Sequence, residues 1–238
     1  MGKESYSRSW LGIAGTASVL LALLEILMTV FWALLTALPV QPGGPIDSHY
    51  YIYSGAVTLF LSLIVVSSVI AIILGLVFCR GSFFLGRKYN VPVMSVAGVA
   101  FVLRQTLGLF LNYAIFSWVQ MNLGGVGVPL SFVAFLADFS FLFVAVELLA
   151  TILLVMSSFR MHDRTKVIEF HVAVSLFLIL VFLEAVLVGM SYSVTVSLPN
   201  YYFPLMTLPI VPPLLGAFLA GSFIVFGVAL REVAGSNM

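Results

Sequence analysis

Three long stretches of this sequence contain no charged residue, and they constrain its fold more than any other feature. They cover residues 48–79, 105–137 and 185–230. About 20 residues at a rise of about 1.5 Å cross the hydrocarbon layer of a bilayer, so an apolar stretch of about 18 or more predicts a membrane helix. Each of the three stretches is long enough for at least one such helix.

The composition excludes an ordinary soluble domain. Of the 238 residues, 62% are hydrophobic and 8% are charged, whereas about 25% are charged in a typical soluble domain. A soluble chain of this size would need more charged residues than these to cover its surface. Strands of a membrane barrel would be about 10 residues long and strictly alternating, and no segment shows that pattern. The sequence therefore predicts an all-α integral membrane protein.

Turn residues divide the chain into six predicted membrane spans. Pro39 and the turn that follows it close the first span, and Gly124 and Pro129 separate the third from the fourth. Pro92 suits the first turn of the third span, because proline is favoured at that position of a helix. The spans cover about residues 10–38, 51–78, 92–120, 130–159, 168–197 and 213–231. We therefore expect a six-helix transmembrane bundle that forms a single domain (1–238).

The basic residues indicate how the chain is oriented. Nine of the ten lie in the N-terminal segment, the second and fourth connections and the C-terminal segment, and the other three connections contain none. These nine are Lys3, Arg8, Arg80, Arg87, Lys88, Arg160, Arg164, Lys166 and Arg231. Short connections rich in Lys and Arg stay in the cytoplasm, so we expect a multi-pass protein of the cell membrane with both termini cytoplasmic. Tyr51 and Tyr202 fit an aromatic belt at the opposite boundary.

No sequence motif indicates catalysis or a cofactor. The chain has no HExxH zinc motif, no GxSxG nucleophile elbow and no Walker A sequence. The single Cys79 excludes an internal disulfide and a cysteine metal cluster. A small polar group at the fourth connection consists of His162, Asp163, Glu169 and His171. A solvated loop followed by a helix start explains this group better than a metal site, so we expect no enzyme, cofactor, metal or nucleic-acid partner.

The most informative residues are ionisable side chains inside the predicted spans. Those close to the midpoint of a span are Glu25, Arg104, Glu147 and Glu184. A charge at the bilayer centre costs about 2.5–3.5 kcal/mol, so we expect the four to face one another or water. Three carboxylates exceed one guanidinium, so we expect that a glutamate is protonated or that a bound cation supplies the balance. Asp138, nine residues before Glu147, points to the opposite face and is left out of this cluster.

Two of these glutamates lie in matching polar stripes. Each stripe has four members, spaced by 7, 4 and 7 residues. The first consists of Ser18, Glu25, Thr29 and Thr36, and the second, 122 residues later, of Ser140, Glu147, Thr151 and Ser158. At about 100° per residue, each set falls on one side of its helix. The pattern predicts two equivalent helices, each with a glutamate supported by hydroxyl side chains.

This offset is close to half the chain length and suggests an internal duplication. The third and sixth spans both open with Val-Pro, at Pro92 and Pro212, which are 120 residues apart. Two units of three helices would be inverted relative to each other, as in many secondary transporters with a polar site at the midplane. The arrangement predicts that Glu25 and Glu147 approach each other. An alignment of the first span with the fifth, in which Glu25 matches Glu184, competes with it.

The sixth span is rich in small residues and carries no charge within it. The small residues are Gly216, Ala217, Ala220, Gly221 and Gly227. Small residues four positions apart let two helix backbones approach closely. We expect this span to pack tightly, either inside the bundle or against another copy of the chain.

Two classes of function fit these observations. The first is a small transporter or channel that moves a proton, a cation or a small cationic solute past Glu25, Glu147 and Glu184, with Arg104 as the internal counter-charge. The second is a non-catalytic subunit of a larger membrane complex, in which the buried charges pair across subunit contacts. An enzyme that acts on lipid is a third alternative, although no nucleophile and base stand out. Access of water to the glutamates distinguishes the first two classes.

Overall fold

The helices of this protein are seen in a computed structural model, which describes residues 3–37, 48–123, 130–197 and 211–235. The helices are α1 (Lys3–Ala37), α2 (Ser48–Lys88), α3 (Pro92–Leu123), α4 (Leu130–Thr165), α5 (Ile168–Ser197) and α6 (Val211–Gly235). No strand occurs within these four ranges. The predicted all-α fold is therefore confirmed for the part of the chain that the structure describes.

Most of these helices have the length and composition of membrane spans. Within the described ranges, five segments are long and apolar enough to cross a bilayer: Ser9–Phe31, Gly55–Lys88, Pro92–Ser117, Leu142–Thr165 and Leu215–Gly235. The described apolar segment of α5, Ile168–Leu183, is shorter. The protein is thus a multi-pass helical membrane protein, whereas the sixth span and the assignment of one domain stay predictions.

The connection between α2 and α3 is short because the chain reverses at a single residue. Asn90 has a φ of 54°, a left-handed conformation that asparagine tolerates better than most residues. The amide of Val91 donates to the carbonyl oxygen of Gly86 at 2.8 Å and closes the end of α2. α3 then begins at Pro92, as predicted. α2 runs to Lys88, beyond the predicted span, because no residue before the Asn-Val-Pro turn breaks the helix.

The basic residues gather at one end of the bundle, which we call the basic end. There α2, α4 and α6 finish and α1, α3 and α5 begin. The Arg80 guanidinium carbon at the end of α2 lies 4.0 Å from the ring centroid of Trp10 on α1. Arg231 Nη2 on α6 donates to Thr16 Oγ1, also on α1, at 2.8 Å. The side of the membrane that this end faces stays a prediction.

Several predicted features of the opposite end, which we call the far end, lie outside the described residues. These are the turns at Pro39, Gly124 and Pro129, together with Tyr202. The backbone of Tyr51 belongs to α2, but its side chain is also outside what the structure describes.

The six helices form a closed ring in the order of the chain. Each helix packs against the next, and α6 packs against α1. In such a ring α3 and α6 are opposite each other, and α1 and α3 are separated by α2. A contact between opposite helices therefore passes through the interior of the ring.

Six buried phenylalanines fill this interior toward the basic end. This aromatic cluster consists of Phe78, Phe101, Phe170, Phe177, Phe223 and Phe226. The ring centroids of Phe101 on α3 and Phe223 on α6 are 4.8 Å apart, and those of Phe78 and Phe226 are 5.6 Å apart. Tilted and edge-to-face ring pairs stabilise a fold by about 0.5–1.5 kcal/mol each. Aromatic packing thus joins α2, α3, α5 and α6 across the ring.

Glycines allow α1 and α6 to approach closely. A Cβ atom added at Gly15 would lie 2.7 Å from the carbonyl oxygen of Gly227, and one added at Gly227 would lie 2.7 Å from that of Gly15. Gly216 packs against the side chain of Thr29 with similarly little space. A Cβ atom at Gly221, by contrast, would meet nothing within 4 Å. Gly216 and Gly227 therefore serve the contact of α6 with α1 inside the bundle.

Candidate functional site

Arg104 lies between Glu25 and Glu147 inside the ring. Its Nη1 donates to Oε1 of Glu25 at 3.0 Å. Its Nε and Nη2 donate to Oε1 of Glu147 at 3.0 and 2.5 Å. One guanidinium on α3 therefore joins carboxylates from α1 and α4. We call these three residues the charged triad.

Helical spacing explains why Arg104 points inward. On α3 the buried residues Ala97, Phe101 and Leu111 lie three or seven positions from Arg104 and share its face. The same holds on α1, where Leu21 lies four residues before the glutamate and is fully buried. The apolar faces that bury these helices thus carry their charged residues into the interior as well.

The triad is shielded to different degrees. The side chains of Arg104 and Glu25 are 9% and 11% exposed, and that of Glu147 is 17% exposed. A buried ion pair needs good geometry and further hydrogen bonds to offset the loss of hydration. The guanidinium meets this requirement, since three of its N–H groups have acceptors. The two carboxyl groups share a single guanidinium, so the triad has one negative charge in excess when both glutamates are ionised.

The second oxygen of each glutamate makes no hydrogen bond to the described residues. The described hydrogen bonds to Glu25 and Glu147 all reach Oε1. In the part of the chain that the structure describes, neither Oε2 atom accepts a hydrogen bond. Arg104 therefore leaves one oxygen on each side available to a further ligand.

Gln105 is a member of this site that the sequence analysis missed. Its Nε2 lies 3.4 Å from Oε1 of Glu25, to which it donates a weak hydrogen bond. It is buried, as is its neighbour Arg104. The sequence signal for Gln105 was its position next to Arg104, the basic residue near the middle of the third span.

The predicted polar stripes contact other parts of the bundle. Ser18 Oγ donates to the carbonyl oxygen of Phe223 on α6 at 2.8 Å, and Thr29 packs against Gly216. Thr151 Oγ1 donates to the backbone carbonyl of Glu147 at 2.9 Å. The described contacts of these hydroxyl groups are thus with backbone carbonyls, for Ser18 and Thr151, and with a glycine, for Thr29.

The remaining predicted site residues are only partly described. Ser158 Oγ is buried and has no hydrogen-bond partner among the described residues. The side chains of Glu184, Thr36 and Ser140 lie outside what the structure describes. Asp138 is exposed on α4, outside the charged triad.

Polar side chains continue beyond the triad toward the far end, between α2 and α3. Asn112 Nδ2 donates to Ser68 Oγ at 2.9 Å, and Gln120 Nε2 donates to Thr58 Oγ1 at 2.7 Å. The aromatic cluster lies on the other side of the triad, toward the basic end. Its nearest described contact to the triad is Phe101, whose ring centroid is 5.9 Å from the guanidinium carbon of Arg104. The triad thus stands at the boundary between an aromatic layer and a more polar one. The sequence analysis missed both of these polar pairs.

The histidine group at the fourth connection has a separate structure. The ring centroids of His162 and His171 are 5.1 Å apart, and Nδ1 of His162 lies 3.0 Å from the carbonyl oxygen of Val167. Within the described ranges, no three His, Cys, Asp or Glu side chains are placed to hold a metal ion together.

Comparison with protein-family models, with curated proteins and with solved structures finds no match to this chain. The apolar helices define the chain as a multi-pass helical membrane protein. The charged triad is the feature of this fold that bears on function.

Proposed function

We propose that this protein is a small membrane transporter or channel in which the charged triad carries a proton or a cation across the bilayer. The observation that supports the proposal is the sharing of one buried guanidinium by Glu25 and Glu147. An unbalanced charge at the bilayer centre costs about 2.5–3.5 kcal/mol. A proton, a cation or a small cationic solute that removes the excess charge is therefore bound favourably. Glu184, the third predicted carboxylate, stays part of this proposal.

The geometry suggests how binding is coupled to movement of the helices. Arg104 stabilises one carboxylate as the ion while the other takes a proton or a cation. When Glu147 is neutralised, Arg104 holds α3 to α1 through Glu25, and when Glu25 is neutralised it holds α3 to α4. Occupancy of the site thus changes which helices are joined. A ligand that interacts differently with two conformations shifts the population between them, as transport requires.

The equivalence of Glu25 and Glu147 supports the inverted-repeat part of the proposal. The two residues occupy matching places in the polar stripes of α1 and α4, and both bind Arg104. In transporters built from inverted repeats, a site at the repeat interface becomes accessible from either side in turn. We also place the protein in the cell membrane with both termini cytoplasmic, on the asymmetry of its basic residues, and assign it no enzymatic activity.

The alternative function is that of a non-catalytic subunit in a larger membrane complex. Exposed apolar side chains such as Leu59 and Phe110 could be covered by lipid or by other subunits. This alternative expects the buried charges to pair across subunit contacts. The described charges of the triad pair within one chain rather than across a subunit contact, while their burial leaves access of water to the glutamates for the flux experiment to decide.

Proton flux into liposomes tests the proposal. Purified protein is reconstituted with a pH-sensitive dye inside the vesicles, and a potassium diffusion potential drives protons inward. We expect flux for the wild type, loss of flux for Glu25→Gln and Glu147→Gln, and unchanged flux for the control Asp138→Asn, because Asp138 lies outside the triad. The same vesicles are tested with sodium and potassium gradients. Flux that survives in both glutamine variants, or its absence for every cation tested, would reject the transport proposal.

Purification in mild detergent tests the alternative separately. A chain that co-purifies with other membrane proteins in fixed stoichiometry supports the subunit role, and the identity of those proteins would name the process. A chain that runs alone or as a homo-oligomer and carries flux supports transport.

A further inference from the structure

A groove on the surface of the bundle lies at the basic end of α2. It has a volume of about 350 Å³. Its lining consists of Leu76, Cys79, Arg80, Phe83, Phe84 and Arg87. Two guanidinium groups and several apolar side chains therefore meet where the helix leaves the predicted membrane span. The charged triad is not part of this surface.

The two arginines continue an apolar stripe on the outer face of α2. This stripe consists of Val66, Val69, Ile73 and Leu76, all exposed. Together with Arg80, Phe83 and Arg87 these residues are spaced alternately by three and four positions, so all of them share one face of the helix. From Val66 to Leu76 the helix rises about 15 Å, which is half the thickness of the hydrocarbon layer. The contact of Asn112 with Ser68 places Val66 to Leu76 level with Arg104 and beyond it toward the far end. The part of this face that lies in the leaflet at the basic end is therefore the stretch from Leu76 to Phe83.

A tryptophan on the neighbouring helix holds the first of these arginines. The guanidinium carbon of Arg80 lies 4.0 Å from the ring centroid of Trp10 on α1, a cation–π contact. Tryptophan is enriched at the level of lipid headgroups, because its ring is apolar and its N–H is polar. The contact restricts Arg80 to the neighbourhood of the groove instead of leaving it to extend freely into solvent.

We propose that this groove binds an anionic phospholipid from the leaflet at the basic end. The phosphate lies between Arg80 and Arg87, and the acyl chains lie against the apolar side chains that line the groove, Leu76, Phe83 and Phe84. Guanidinium groups suit this ligand because they donate paired hydrogen bonds to phosphate oxygens. Zwitterionic lipids have the same acyl chains but no net negative charge, so the groove prefers phosphatidylglycerol to phosphatidylcholine. The proposal is independent of transport by the charged triad.

Lipid retention measured by native mass spectrometry tests this proposal. The full-length protein is titrated with phosphatidylglycerol in detergent, and its affinity is compared with that of Arg80→Gln/Arg87→Gln. The matched control is Arg160→Gln/Arg164→Gln, which removes the same charge at the same end of the bundle. A basic residue near a membrane surface contributes about 1 kcal/mol to binding of anionic lipid, so we expect about fivefold weaker binding for each arginine of the groove and about 25-fold for both.

The control pair decides between a site and a general effect of surface charge. Binding that stays within about twofold of the wild type in the control, together with the loss in the groove variant, supports the groove. Equal losses in the two double variants would overturn it, since any cluster of basic residues attracts anionic lipid.

A second measurement needs no variant. Cys79 is the single cysteine of the sequence and is partly exposed in the groove. We expect its reaction with a maleimide to be slower in vesicles that contain phosphatidylglycerol than in vesicles of phosphatidylcholine alone. Soluble glycerol phosphate, added to the phosphatidylcholine vesicles, should leave the rate unchanged. Equal rates with and without the anionic lipid, or equal protection by glycerol phosphate, would overturn the assignment to a lipid.

Discussion

The two layers of the bundle on either side of Arg104 are stabilised in different ways. Toward the basic end, the aromatic cluster fills the ring, and Gly15 and Gly227 bring α1 and α6 into close contact. Toward the far end, the described contacts include hydrogen bonds such as that between Asn112 and Ser68. The first layer is packed with aromatic rings, and the second combines a smaller apolar cluster of Val57, Leu61 and Ile64 with directional bonds between polar groups.

This difference bears on where a ligand can be held. An aromatic layer offers no groups to replace the hydration of an ion, so a charged solute cannot rest there without a penalty. The triad, one helical turn away from Phe101, offers carboxylate oxygens and a guanidinium. Under the proposed transport function, the aromatic layer is the barrier and the triad is the adjacent polar site, and each layer can be weakened separately.

The largest effect is expected from Arg104→Gln. This substitution leaves two buried carboxylates without a counter-charge, and breaking a buried ion pair costs about 3–5 kcal/mol. Because both pairs are lost, we expect a decrease of about 5 kcal/mol in the free energy of unfolding. The measurement is unfolding by dodecyl sulfate in mixed micelles, followed by circular dichroism.

The control for this prediction neutralises the whole triad. Arg104→Gln/Glu25→Gln/Glu147→Gln contains three neutral amides and no unpaired charge, so we expect most of the stability to return while proton flux stays absent. A triple variant that is as unstable as the single one would mean that lost packing, not charge, causes the effect.

In the aromatic layer we expect a smaller loss from Phe223→Ala. The substitution leaves a cavity among Phe78, Phe101 and Phe177, and removing a buried phenylalanine side chain costs about 3 kcal/mol or more. The matched control is Phe182→Ala, because Phe182 on α5 is 67% exposed. The same unfolding titration should show almost no change for the control. Equal losses at the two positions would remove the evidence for a packed aromatic layer.

The contact between α1 and α6 is tested by adding a side chain. Gly227→Val introduces a Cβ atom too close to the backbone of Gly15, and overpacking of this kind costs about 2 kcal/mol. Gly221→Val is the control on the same helix, since the added atoms meet open space. Thermal unfolding in detergent should separate the two variants. A control that is as destabilised as Gly227→Val would indicate an effect of valine on the helix alone.

The smallest effect is expected in the polar layer, from the hydrogen bond between Asn112 and Ser68. Double-mutant cycles of side-chain hydrogen bonds in a membrane protein average about 0.6 kcal/mol. We expect a coupling energy of that size between Asn112→Ala and Ser68→Ala. A coupling of zero would show that the polar layer contributes nothing through this bond, and one above that of the triad would reverse the comparison.

Much of the fold could be predicted because the bilayer imposes strong rules on a sequence. The uncharged stretches and the Val-Pro start of α3 predicted helices, and the described parts of those helices agree with the structure. The placement of basic residues predicted the orientation of the chain. The helix ends were less predictable. α2 continues to Lys88 because a helix can extend past the hydrocarbon into the interface, and hydropathy gives no signal for its end.

The candidate site was predicted in part. Placing charges at mid-span singled out Glu25, Arg104 and Glu147, because a charge in hydrocarbon has to find a partner. The polar stripes did not predict the partners of their hydroxyl groups. Ser18 and Thr151 bond to backbone carbonyls, a choice that depends on which helix lies alongside and on local rotamers.

The sequence by itself determined that this chain is a helical membrane protein with ionisable residues buried in its spans, because both conclusions depend only on the cost of placing charge in hydrocarbon. The tertiary structure decided the rest. The order of the helices in the ring placed two glutamates from distant parts of the chain on one guanidinium and Gln105 beside them. It also placed six phenylalanines together and opposed Gly15 to Gly227. Such contacts depend on the three-dimensional fit of whole helices, which a one-dimensional pattern of polarity does not contain.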